Sequence, residues 1–132
     1  MPHNDFSPLN VAFVDGLPVS AFDFDQAAPG PRRRDLAYAS WLWLLGADIA
    51  APLGRQLALL RTFLDAYGLG EEQRRGFGGR IVARVEDERD FHARAGRVAG
   101  PGSWLDCEIA WLGKYADDID RGVVEGVAGR PS

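Results

Sequence analysis

A chain of 132 residues, 46% apolar and 26% charged, has the size and balance of one globular domain rather than a disordered or fibrous chain. Its formal net charge of -4 disfavours nucleic acid as a partner, because phosphate backbones need a basic face, and suits a cationic ligand. The longest apolar stretch, Leu36 to Leu45, is too short to cross a bilayer, so no membrane partner is expected. Cys107 is the only cysteine, which excludes an internal disulfide and points to a reducing, cytoplasmic setting. No basic-then-apolar leader opens the chain, so secretion is not expected.

Asn10 to Val14 and Leu17 to Phe24 are two strand-forming runs joined by Asp15-Gly16, a dipeptide suited to a tight turn. They predict a β-hairpin. Pro18 falls near the start of the second run, where a missing N–H is tolerated. Ala28-Pro29-Gly30-Pro31 then breaks regular structure. Arg32-Arg33-Arg34 is expected as a solvated edge before a helix.

Asp35 can cap that helix, which runs to about Leu45 and stops at Gly46. It is apolar nearly all round and should lie at the centre of the molecule. A second helix is predicted from about Pro52 to Tyr67, ended by Gly68, with Leu53, Leu57, Leu60, Leu64 and Tyr67 on its inner face. A third is predicted from Glu71 to about Ala95, anchored by Phe77, Ile81, Val85 and Phe91, although Gly76, Gly78 and Gly79 weaken its first half. Gly96 to Gly102 reads as a loop. Ser103 can cap a last helix over Trp104 to Val124, with Leu105, Ile109, Leu112, Ala116, Ile119 and Val123 along one face. The tail from Gly126 is expected to fray.

Chemistry-bearing residues concentrate near the beginning. Phosphoryl transfer to a hydroxyl needs a carboxylate to orient the hydroxyl and take its proton, and hard oxygen ligands for a divalent metal. Asp5 and Asn10, five positions apart, supply a carboxylate and an amide oxygen. A hairpin would fold Asp23 back towards Asn10 around one Mg²⁺. His3 suits a bracing role by hydrogen bonding. Asp25 is a further candidate metal contact, or a solvated carboxylate at a strand end. Taken singly, Asp and Asn here are ordinary turn residues.

The segments His3-Asn4-Asp5-Phe6-Ser7-Pro8-Leu9-Asn10, Val11-Ala12-Phe13, Asp15-Gly16, Phe22-Asp23-Phe24-Asp25, Pro29-Gly30 and Asp35-Leu36-Ala37-Tyr38-Ala39 resemble the aminoglycoside phosphotransferase family, with its choline-kinase-like members. The match covers Pro2 to Gly46. The resemblance implies a small-molecule kinase using ATP and Mg²⁺, with Asp5 as catalytic base, Asn10 and Asp23 as metal ligands, and Asp35 as a supporting residue. Asn4 departs from the glycine common there. The fold it implies is mainly α: an N-terminal β-hairpin packed on a helical bundle, the C-terminal lobe of a protein-kinase-like fold.

In this reading residues 1–126 form that lobe. Residues 1–25 hold the catalytic loop and metal-binding hairpin, 35–125 the helical subdomain, and 127–132 a tail. Family members carry a nucleotide-binding lobe with a phosphate-pairing Lys before the loop, whereas here four residues precede Asp5 and the first Lys is Lys114. The expectation is a truncated enzyme, weakly active or inactive alone. Its acceptor would be a small hydroxyl compound, cationic if Asp117, Asp118 and Asp120 contribute. The surface left by the missing lobe would favour self-association.

Two other readings stand beside it. Asp5 and Asp23 could form a glycosidase-like pair, or the chain could be a non-catalytic helical interaction or regulatory module. Trp41, Trp43, Trp104 and Trp111 are expected mostly in the core, Cys107 as a buried structural thiol, and His92 as a surface residue.

Overall fold

The computed structural model describes residues 11–21, 32–96 and 104–128. Seven elements follow in chain order: β1 (Val11–Val14), β2 (Leu17–Ala21), α1 (Arg32–Leu44), α2 (Leu53–Tyr67), α3 (Glu71–Arg74), α4 (Phe77–Arg94) and α5 (Trp104–Ala128). The longest, α5, packs against α2, α3 and α4, while α1 lies on α4 and α2.

The expectation of a β-hairpin packed on a bundle is corrected. The described fold is helical, and its core comes from the helices and the segments joining them. β1 and β2 form a two-stranded antiparallel ladder with a register irregularity at Ala12/Phe13, and the side chains at its turn, Val14 and Leu17, are exposed. Two strands bury too little apolar surface to make a layer.

α1 begins at Arg32, so the arginine run starts the helix instead of preceding it, and Asp35 sits in the first turn, not at the cap. A carboxylate there still favours the positive end of the helix dipole. Leu36 to Trp41 is buried without a break, as expected of a helix covered on all sides. Within it Ser40 turns its hydroxyl onto the Leu36 carbonyl at 2.7 Å, which satisfies a polar group in the core.

α2 ends as its sequence predicts. Gly68 takes φ 89°, and the N–H groups of Gly68 and Leu69 both donate to the Leu64 carbonyl. This αL termination folds Leu69 back into the core. Leu57, Leu60 and Leu64 are buried, Leu53 is half-buried, and Tyr67 is exposed, so the inner face stops one turn short of the helix end.

The predicted third helix is two. Arg75 is extended and Gly76 left-handed (φ 71°), which separates α3 from α4. The new start of α4 carries no side-chain cap of its own. Asp120 on α5 supplies one, accepting the Gly78 N–H at 2.6 Å. The helices meet closely there, since a Cβ on Gly78 would run into the Ala116 carbonyl. Phe77, Ile81 and Val85 are buried as expected, but Phe91 is exposed.

α5 runs to Ala128, past the expected end, and its Leu112, Ile119 and Val123 are completely buried. Ala116 is half-buried. Cys107 is exposed, which corrects its reading as a buried thiol. Arg74 ties three elements together from a buried position: its guanidinium donates to Leu69 O (2.8 Å), Val123 O (3.3 Å) and Asp65 Oδ1 (2.7 Å).

Candidate functional site

Of the sequence-predicted site residues, His3, Asp5, Asn10, Asp23 and Asp25 lie outside the described residues. Asp35 lies within them, in the first turn of α1. Among the described residues no group of three or more His, Cys, Asp or Glu is placed to hold a metal ion.

The acidic residues of α5 are engaged differently. Asp120 caps α4, Asp118 pairs with Arg121 at 2.7 Å, and Asp117 is exposed. His92 is half-buried, not a free surface residue. Its Nε2 lies 3.1 Å from Glu88, which also accepts from Arg84 at 3.0 Å, and Arg84 lies 4.5 Å over the Tyr38 ring. This chain of contacts joins α4 to α1.

The most unusual chemistry lies where the α1–α2 connection meets the start of α5. Glu108, one turn into α5, is buried at 2% exposure. Trp41 of α1 donates its indole N–H to Glu108 Oε2 at 3.0 Å, and the Ala47 backbone N–H donates to the same carboxylate. Burial pushes the Glu108 carboxyl above its ordinary value, and the nearby charge of Asp48 adds to this; the two donated hydrogen bonds oppose it without cancelling it.

The connection itself is pinned from α2. Gln56, 2% exposed, accepts the Gly46 N–H at 3.1 Å and donates to Gly46 O (3.3 Å) and Ala51 O (2.9 Å). Gly46 has φ 153°, and a Cβ there would lie 2.9 Å from Glu108 Oε2. Glycine suits both this backbone angle, which other residues rarely adopt, and the close approach to Glu108.

Above Glu108 two indoles stack. Trp41 and Trp104 have ring centroids 5.4 Å apart and planes inclined by 27°. Trp41 is buried; Trp104 is 52% exposed and donates its indole N–H to Asp48 Oδ2 at 2.8 Å. Each indole therefore donates a hydrogen bond to a carboxylate, one buried and one exposed. The arrangement can bind and release a proton at Glu108, and it offers an exposed aromatic face beside a carboxylate for contact with a partner.

Sequence reasoning missed Asp48, Gln56 and Glu108 and placed Trp104 in the core. One signal was present. Glu108 falls three residues after Leu105 and four before Leu112, on the apolar stripe of α5, where a carboxylate is out of place. Nothing local to Asp48 or Gln56 marks them, because their partners come from other elements.

No helix among the described residues is long and apolar enough to cross a membrane. Comparison with known proteins corrects the phosphotransferase reading. No protein-family model and no solved structure matches the chain. The chain is 31% identical over 116 residues to the trifolitoxin immunity protein of Rhizobium leguminosarum bv. trifolii. That match takes in 83% of this chain and 44% of the relative, so the chain spans less than half the length of the curated protein it resembles. The name is an immunity protein's, not a kinase's. Asp, Asn, Pro and Ser recur in the His3–Asn10 segment and are residues that turns also favour, so the short pattern by itself does not specify a phosphoryl site.

Proposed function

We propose that the chain is a non-catalytic helical module of the immunity kind, which protects by binding and not by chemistry. The observation that carries this reading is the 31% identity to trifolitoxin immunity protein across 83% of the chain. The contact would centre on Trp104. It is a large aromatic side chain, half exposed and held in a fixed orientation by stacking on Trp41 and by its hydrogen bond to Asp48. Rigid, partly exposed tryptophans are frequent anchors of protein interfaces, because they contribute much contact area with little entropy to lose. The acidic balance of the chain suits a cationic partner. With that role we propose a cytoplasmic location.

The test is growth of a trifolitoxin-sensitive strain producing this chain at a verified level. Survival at toxin doses that kill the parent strain is the expected result, with loss of protection in a folded Trp104→Ala variant. Sensitivity unchanged by the wild-type chain would refute the proposal. Protection that survives Trp104→Ala would move the contact elsewhere on the surface.

A further inference from the structure

We propose that Glu108 is a proton-operated latch, which holds the 45–52 connection against α5 when protonated and lets it loosen when ionised.

The geometry sets three elements around one carboxyl. Glu108 comes from α5, the Trp41 indole from α1, and the Ala47 N–H from the connection between α1 and α2. The carboxyl is nearly sealed from water, and Gly46 passes against it with no room for a side chain. A negative charge enclosed in this way is costly, because two hydrogen bonds replace only part of its hydration. The connection is the movable wall. Leu45 anchors one end of it in the core and Gln56 holds Gly46 and Ala51, but Ala47, Asp48 and Ala50 between them are irregular and exposed, whereas the other walls are helices.

Charges on the surrounding elements are consistent with a device centred on Glu108. On the connection, Asp48 repels an ionised Glu108. From α2, the side chain that grips the connection is the uncharged Gln56. From α4, Arg84 is engaged by Glu88 and lies over Tyr38, Arg89 pairs with Asp90 and with Asp106, and His92 contacts Glu88. From α1, Arg34 pairs with Asp87. These cations are already committed to carboxylates other than Glu108.

Ionisation therefore sets two negative charges close together, one on a buried carboxylate and one on the segment that covers it. Moving the connection outward admits water to Glu108 and separates it from Asp48. The same movement breaks the Trp104–Asp48 hydrogen bond, since Asp48 travels with the connection and Trp104 stays on α5. Proton uptake at Glu108 would thus be coupled to the setting of the exposed indole. The latch is a property of the fold and does not depend on the protective role proposed above.

The experiment follows tryptophan fluorescence and its quenching by acrylamide in the full chain across acid to neutral pH, with far-ultraviolet circular dichroism confirming that the helices persist. Wild-type protein should show one transition lying above the ordinary carboxylate range, with greater quenching on its high-pH side. Glu108→Gln should abolish the transition and keep quenching low throughout. Asp48→Asn can still accept from Trp104 but carries no charge, so it should keep the transition and move its midpoint to lower pH. If Glu108→Gln fails to fold, the Asp48→Asn midpoint decides alone. No transition in the wild type, a transition that persists in Glu108→Gln, or an unmoved midpoint in Asp48→Asn would each overturn the proposal.

Discussion

The carboxylate of Asp120 accepts the backbone N–H of Gly78 at 2.6 Å, so α5 caps the start of α4 through two residues 42 positions apart in the chain. The N–H belongs to the second residue of α4, whose own first turn supplies no side-chain acceptor. Capping in this form also orients the two helices, because it fixes the start of one against the flank of the other. Asp120→Ala should cost about 1–2 kcal/mol of stability, measured by urea unfolding. Asp120→Asn keeps an acceptor oxygen and should cost less, about 0.5 kcal/mol, through the lost charge at the helix start.

Gly78 has a second reason to lack a side chain. A methyl group there would be forced into the Ala116 carbonyl oxygen, which is backbone and cannot turn aside. Gly78→Ala should destabilise by about 1–3 kcal/mol through overpacking, although alanine is the better helix former. Gly79 is open in the same test, so Gly79→Ala should be neutral or slightly stabilising. Thermal melts of the two variants in parallel separate contact from propensity.

Arg74 is buried with a single carboxylate and two carbonyl oxygens around it. Burial holds its guanidinium below the ordinary arginine value, yet it stays charged at any working pH. Arg74→Met keeps much of the volume and removes the charge, which leaves Asp65 without that partner. A loss of about 2–3 kcal/mol is expected, since the buried Leu69 and Val123 carbonyls lose their guanidinium donor and Asp65 loses one of its interactions. By contrast, Arg121→Ala touches only an exposed pair with Asp118 and should change the unfolding midpoint little.

Glu108 should make stability depend on pH in the direction opposite to most carboxylates. Its folded value lies above its unfolded value, so between the two the folded chain binds more protons. Stability then falls as pH rises through that window, and the protonated form on the acid side is the favoured one. Glu108→Gln mimics that form and should flatten this part of the profile. At neutral pH the variant should be as stable as the wild type or more so, by about 1 kcal/mol. Urea midpoints from acid to neutral pH check the sign.

Much of the helical framework is legible in the sequence. α2 illustrates why: its leucines recur at helical spacing, and Gly68 takes the left-handed conformation that ends it, so both signals lie within the segment. α3 and α4 illustrate the limit. Three glycines in four positions mark a weakness, but the break at Gly76 is stabilised by Asp120 from a distant helix. Tyr67 and Phe91 continue apolar stripes in the sequence and are nonetheless exposed, and periodicity alone does not show which turns of a stripe the other described elements cover. The candidate site was the least readable part. Trp41 and Glu108 are 67 residues apart, and Gln56 works through backbone groups that carry no sequence signature. Asp5, Asn10 and Asp23 lie outside the described residues, whereas the buried Glu108 carboxylate sits between Leu105 and Leu112 on the apolar stripe of α5.

The chain's single thiol, at Cys107, is exposed and adjoins Glu108 in α5. A maleimide dye or nitroxide could be attached there without mutating the natural chain. The probe would ride on the rigid helix, next to the wall that the connection leaves or rejoins. The molecule thus carries its own labelling position for watching that segment in real time.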